Sequence, residues 1–266
     1  MKTKRMTRVS FSAKTKVLDV SLPKTWSDLS QKELLDVCRM RALVYADGKD
    51  MLFPLFRYFG NIRVLDRDGD TFLCRFLARD SETGKRARVM CRVTPVRLAE
   101  LLEPLRFVYD PGSVPVRLDV WHGSTAVNAQ FHGVSFGDYL KIENLYQGFI
   151  ASQNSDALFS IAKILYPGIR EKHVDEVFVF GLLQWVVQVK ALFARMWPNF
   201  FKPATGAVSA PSMLDVMNNE IRALTGGDVT KEEVVFETEC WRALTELDFK
   251  AKDAEDMKRK MNNSKH

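Results

Sequence analysis

The chain has 266 residues, 46% of them hydrophobic, and a net charge of +6, an ordinary globular composition long enough for one large domain or two modest ones. Its four cysteines (Cys38, Cys74, Cys91, Cys240) show no CxxC spacing, and its four histidines form no ligand pattern. That speaks against a secreted disulfide scaffold and against a zinc ribbon, so no cofactor or metal is expected and a reducing cytosol is the expected compartment.

The N-terminus lacks the charged, apolar and small segments of a signal peptide. Residues 1–25 hold seven basic side chains against Asp19 alone, which leaves the remainder neutral as a whole. A basic arm on a neutral body suits a mobile tail that meets something acidic, nucleic acid included. A solubilising terminus is the plain alternative.

From Thr7 to Leu22 a weak alternation predicts an edge strand or extended arm, ended by Pro23. Ser30-Gln-Lys-Glu33 is a capping box that starts a helix at Gln31. A second short helix runs roughly from Asp50 to Phe59. The period then changes to two. Ile62–Leu65 reads as a strand before the Asp68-Gly69 turn. Asp66–Asp70 superficially resembles a calcium loop, but positions six and twelve hold Thr71 and Leu77 where glycine and glutamate are required.

Thr71–Arg79 and Arg86–Val93 read as a hairpin in which opposed residue numbers sum to about 165, a register taken from alternation and turn length. Phe72, Cys74, Phe76 and Ala78 then share a core face with Ala87, Val89, Cys91 and Val93, and Cys74 lies opposite Cys91. The other face carries Arg75, Arg79, Arg86, Arg88 and Arg92. There Arg79 opposes Arg86, and like charges directly opposed are destabilising unless an anion or acidic surface binds. These five arginines are the candidate contacts for an acidic partner. A solvated face paired with acids elsewhere is the competing reading.

Thr94-Pro95 opens a helix. Leu105–Tyr109, Val114–Trp121 and Ala126–Phe131 read as short strands. Residues 136–151 are helical, and Ser155 is expected to cap the next helix. Val174–Trp197 is apolar on most sides, with Leu182, Trp185 and Val189 among its recurring residues, and must be covered by protein. Its charged residues and short uninterrupted apolar runs argue for a buried core helix and against a membrane span. Pro198–Ser212 is linker-like. Beyond it, one helix closes at Gly226-Gly227, and Thr230-Lys-Glu-Glu233 is a second capping box opening a last helix with Trp241, Leu244 and Leu247 on its apolar stripe.

One catalytic pattern occurs, Gly133-Val-Ser135-Phe-Gly137. A nucleophile elbow needs a parallel sheet upstream and a histidine downstream. Here the upstream strands read as antiparallel hairpins, and only His173 and His266 follow. Ser135 with Asp138 also makes a helix-capping pattern. No phosphate loop or metalloprotease signature is present.

LPKTWSDLSQKELLDVCRM (Leu22–Met40), ENLYQGFIASQ (Glu143–Gln153) and the segment from Met217 to Arg259 resemble proteins encoded in bacteriophage and prophage clusters. The C-terminal helical pair is similar to the short, tryptophan-bearing helical segments of phage tail-assembly chaperones. The resemblance covers about a third of the chain. It implies a non-enzymatic protein of the host cytoplasm, or one associated with the virion, that binds tape-measure or other tail proteins during assembly. It assigns no catalytic residue.

The expected architecture is α+β: a basic arm (1–25), a mixed core domain (26–197) with a small antiparallel sheet and the long central helix, a linker (198–212), and a C-terminal helical hairpin with a polar tail (213–266). The hairpin is expected to offer Trp241, Leu244 and Leu247 to a partner protein. The alternatives are nucleic-acid binding through the arm and the arginine face, and a serine hydrolase using Ser135.

Overall fold

Short alternating segments at Val9–Ser12 (β1) and Val17–Val20 (β2) pair antiparallel, Val9 opposite Val20. The computed structural model describes residues 9–12, 17–47, 50–202 and 213–263; residues 1–8 and 13–16 of the basic arm and residues 203–212 of the linker-like stretch lie outside them. The chain divides into two units, 1–112 and 113–266.

In the first unit, helix α1 (Gln31–Asp47) starts where the capping box places it: Ser30 N donates to Glu33 Oε2 at 3.0 Å and Glu33 N to Ser30 Oγ at 3.4 Å. Helix α2 (Leu52–Gly60) buries Leu52, Leu55, Phe56 and Phe59 on one face and packs against strand β3 (Ile62–Asp68). Strands β4 (Thr71–Asp80) and β5 (Arg86–Val93) form the long hairpin in the anticipated register, with Phe72 opposite Val93, Cys74 opposite Cys91 and Arg79 opposite Arg86. Thr94 Oγ1 then accepts from Arg97 N and caps helix α3 (Pro95–Leu102).

The sheet is mixed. β4 pairs along one edge with β5 and along the other with β3, and beyond Ile62 β1 takes up that second edge in parallel, Ser10 opposite Arg79. Two backbone bonds mark the handover, from Leu77 N to Asn61 O and from Ser81 N to Phe11 O. A wholly antiparallel sheet was expected; the parallel pairing joins segments about 70 residues apart, which alternation within each segment does not reveal. Residues 103–109 coil as a 3-10 helix in place of the predicted strand Leu105–Tyr109. Pro104 sits in its first turn, where its fixed φ favours a helical start.

The second unit opens with a two-stranded ribbon, β6 (Val120–Trp121) and β7 (Ser124–Thr125). The longer strand predicted at Val114–Trp121 shrinks to these two residues, and Ala126–Phe131 is a loop. Both segments bond instead to helices: Val116 N donates to Gln188 Oε1 and Val127 N to Leu165 O. Helices α4 (Phe136–Ser152), α5 (Ser155–Leu165, capped by Asn154 and not by Ser155) and α6 (Glu176–Met196) follow.

By length and composition α6 is apolar enough to cross a membrane. In this structure one face, including Phe178, Leu182, Trp185, Val186, Val189 and Phe193, is buried within its own unit. The opposite side is half-buried. Trp185 Nε1 donates to Ala129 O at 2.7 Å, so even the indole nitrogen is satisfied.

Helix α7 (Met213–Thr225) is followed by a short α8 (Glu232–Glu237) and the long α9 (Cys240–Asn263). The single last helix expected after Thr230 is thus interrupted. Residues 238–240 exchange helical bonding for backbone bonds to a neighbouring segment: Phe136 N donates to Thr238 O at 2.7 Å and Cys240 N to Val134 O at 2.9 Å. Gly137 permits α8 to come close there, since a Cβ on it would sit 3.2 Å from Phe236. The chain is α+β, with its C-terminal helices in place.

Candidate functional site

The two faces of the β4–β5 hairpin differ as its sequence requires. Cys74, Phe76, Ala78 and Val93 are buried, while Leu77, Arg79, Arg86, Arg88, Met90 and Arg92 are exposed and Arg75 is half-buried. The sheet adds a sixth arginine that sequence reasoning missed: Arg63 of β3 stands opposite Arg75. Its signal was present, because Ile62 and Val64 claim the core face and leave Arg63 outward.

Arg92 pairs with Asp68 at 2.9 Å. Among the described residues, Arg63, Arg75, Arg79, Arg86 and Arg88 have no acidic partner, and Arg75 Nε is buried without a hydrogen-bond partner. The five sequence candidates therefore lie on one face, and four of them lack a counter-ion there. Among the described residues no lysine projects from this side of β4 and β5; Leu77 and Met90 stand between the arginines. The unit that carries it has 22 basic and 14 acidic residues, a net +8.

Beside β5 lies a cleft of about 320 Å³, lined by Leu18, Val20, Cys91, Val93 and Leu101 and also by Arg92 and Arg97. Burial pushes the Cys74 thiol up to about 11, with Cys91 adding to it, and raises Cys91 as well. Both are free thiols.

The anticipated protein-contact residues sit differently. Leu244 and Leu247 are buried in the core of the second unit. Trp241 is held between His132, stacked at 4.2 Å, and Trp197 and Phe193, and its Nε1 donates to Gln130 O at 2.7 Å. This corrects the expectation that the three form an outward face: α9 spends its first stripe on its own core, as helices with one apolar face do.

Beyond that stripe Asp248 clamps the end of α6, accepting from Asn199 N, Asn199 Nδ2 and Phe200 N at 2.8–2.9 Å. Burial opposes its ionisation, but these hydrogen bonds outweigh it and hold the carboxyl below its ordinary value. Past Asp248 the helix continues for some four turns with Phe249, Met257 and Met261 59%, 65% and 62% exposed. An ion pair from Lys202 to Glu255 steadies its middle.

Ser135 is the N-cap of α4; its hydroxyl accepts from Asp138 N at 3.1 Å, and its φ of −70° and ψ of 153° are ordinary extended values. Among the described residues no histidine hydrogen-bonds to it. His132 instead lies 3.4 Å from Glu239, which also receives Gly133 N. The geometry thus gives the GxSxG pattern a capping and packing explanation.

A charged cluster that the sequence did not signal lies in the second unit. Lys190 of α6 pairs with Glu143 of α4 and stands 5.1 Å from the Tyr146 ring. Burial first, then Glu143, pushes the Glu220 carboxyl of α7 up to about 7, and its Oε2 has no hydrogen-bond partner. Burial, and then Glu143 and Glu220, raise the Tyr139 hydroxyl well above its usual range. This cluster can take up or release a proton near neutral pH. No group of three metal-binding side chains occurs among the described residues.

Comparison with family models, with curated proteins and with solved structures finds no match to this chain.

Proposed function

We propose that the chain is a non-enzymatic phage protein that binds other virion proteins during assembly, in the manner of a tail-assembly chaperone. The segments Leu22–Met40, Glu143–Gln153 and Met217–Arg259 support the phage context through their resemblance. The observation that carries the binding role is the distal half of α9, which leaves Phe249, Met257 and Met261 uncovered on a helix whose other half is anchored in the core. An exposed helix that mixes apolar and charged residues is the form that grooves on other proteins accept.

The surface is therefore assigned to residues 249–263 and no longer to Trp241, Leu244 and Leu247. A cut after Asp248 tests it, because Asp248 and the buried stripe remain while residues 249–263 are removed. Co-expressed with the tape-measure protein of its own phage, the full chain keeps that protein soluble and the truncated chain does not. Equal solubility with both forms, while circular dichroism shows the truncated chain folded, overturns the reading.

A further inference from the structure

Three observations meet on β5, in the unit that does not contain α9. First, among the described residues β5 pairs only with β4, so its second edge presents unbonded backbone groups, a ready template for another strand. Second, Arg86, Arg88 and Arg92 project from β5 on one side, Arg86 and Arg88 roughly 7 Å apart and Arg92 about twice that distance from Arg88 with Met90 between them, and Arg79 and Arg75 stand behind them on β4. Third, Cys91 and Val93 on the other side help to line a cleft of about 320 Å³ whose mostly apolar wall is edged by Arg92, Thr94 and Arg97.

From these we infer that β5 receives an extended segment of a partner protein as an added strand, one whose residues alternate between acidic and apolar. Its backbone completes the ladder at the open edge. Its carboxylates meet the guanidinium forks, which bind carboxylates bidentately, and its apolar side chains enter the cleft.

Composition favours a polypeptide over a phosphate backbone. Among the described residues, the outward positions of β4 and β5 opposite the core hold arginine, leucine and methionine and no lysine, and arginine and methionine are enriched in protein interfaces where lysine is depleted. Its outward side carries no aromatic ring for base stacking, and nucleic acid supplies neither strand hydrogen bonds nor a row of apolar groups. The proposal is independent of the α9 reading, since it uses other residues and another probe.

The test uses the full chain and a fluorescein-labelled octapeptide of alternating glutamate and valine. The expected result is saturable binding, weakened by salt and lowered at least about tenfold in an Arg86→Glu/Arg88→Glu variant, with slowed amide exchange along β5. The same peptide N-methylated at alternate positions keeps its charge but cannot pair as a strand, and should not bind. Binding of the N-methylated peptide equal to the parent overturns strand addition. Binding of a short DNA duplex in preference to the peptide replaces the proposal with a phosphate-binding face. Binding of neither leaves the arginines as guards of an edge strand and also overturns it.

Discussion

Cys74 and Cys91 stand directly opposite one another on neighbouring strands, yet the two sulfurs live in different surroundings. Cys74 is fully buried, whereas Cys91 is half-buried at the cleft. Cys38 and Cys240 are buried too, and burial pushes both up to about 12. Because the thiolate is the reactive form, native labelling with a maleimide should modify Cys91 first and the other three only after unfolding. Peptide mass mapping reads the order, and early modification of Cys38 or Cys240 would contradict it.

Arg79 and Arg86 face each other across the same hairpin. Replacing one by an acid turns repulsion into attraction, so Arg86→Glu should raise stability by roughly 0.2–1 kcal/mol. Chemical denaturation measures this directly. A loss of stability would mean that Arg86 already has a favourable native contact.

Glu220 ties stability to pH. Its carboxyl is raised from 4.5 to about 7 in the folded chain, so the folded state holds the proton more tightly than the unfolded state does. The stabilisation is complete below pH 4.5 and is lost as pH rises through about 7. Thermal unfolding between these limits should show a midpoint that falls with increasing pH on this group's account. Glu220→Gln, neutral throughout, should flatten that dependence and should not abolish folding. An unchanged pH profile in the variant would show that Glu220 titrates normally.

Ser135→Ala should cost about 0.5–2 kcal/mol through loss of the α4 cap. A fluorophosphonate probe should leave the wild-type chain unlabelled. Covalent labelling at Ser135 would reverse the assignment of its hydroxyl to Asp138 N.

The hairpin register was legible because both inputs are local: alternation sets the face and the turn sets the offset. Hence Cys74 met Cys91, and the arginines gathered where expected. The caps at Ser30 and Thr94 were legible for the same reason. What depended on distant segments was hidden. The parallel bond of β1 to β4, the break at Thr238 and the meeting of Glu143, Lys190 and Glu220 all join stretches far apart in the chain. The stripe through Trp241 was seen, but an apolar stripe does not state whether its cover comes from the same chain.

The β-bulge between Val64 and Asp66 gives one residue, Leu65, no partner on β4. Because strand faces alternate, that single insertion turns Asp66 and Asp68 toward the arginine side and Arg67 away. Asp68 there reaches Arg92. Were Leu65 instead to pair with Leu73 in an unbulged strand, Arg67 would take the arginine side and Asp66 and Asp68 the other, swapping an acidic border for another arginine. The electrostatic outline of that end of the sheet thus hinges on one uncharged aliphatic residue being left out of the ladder.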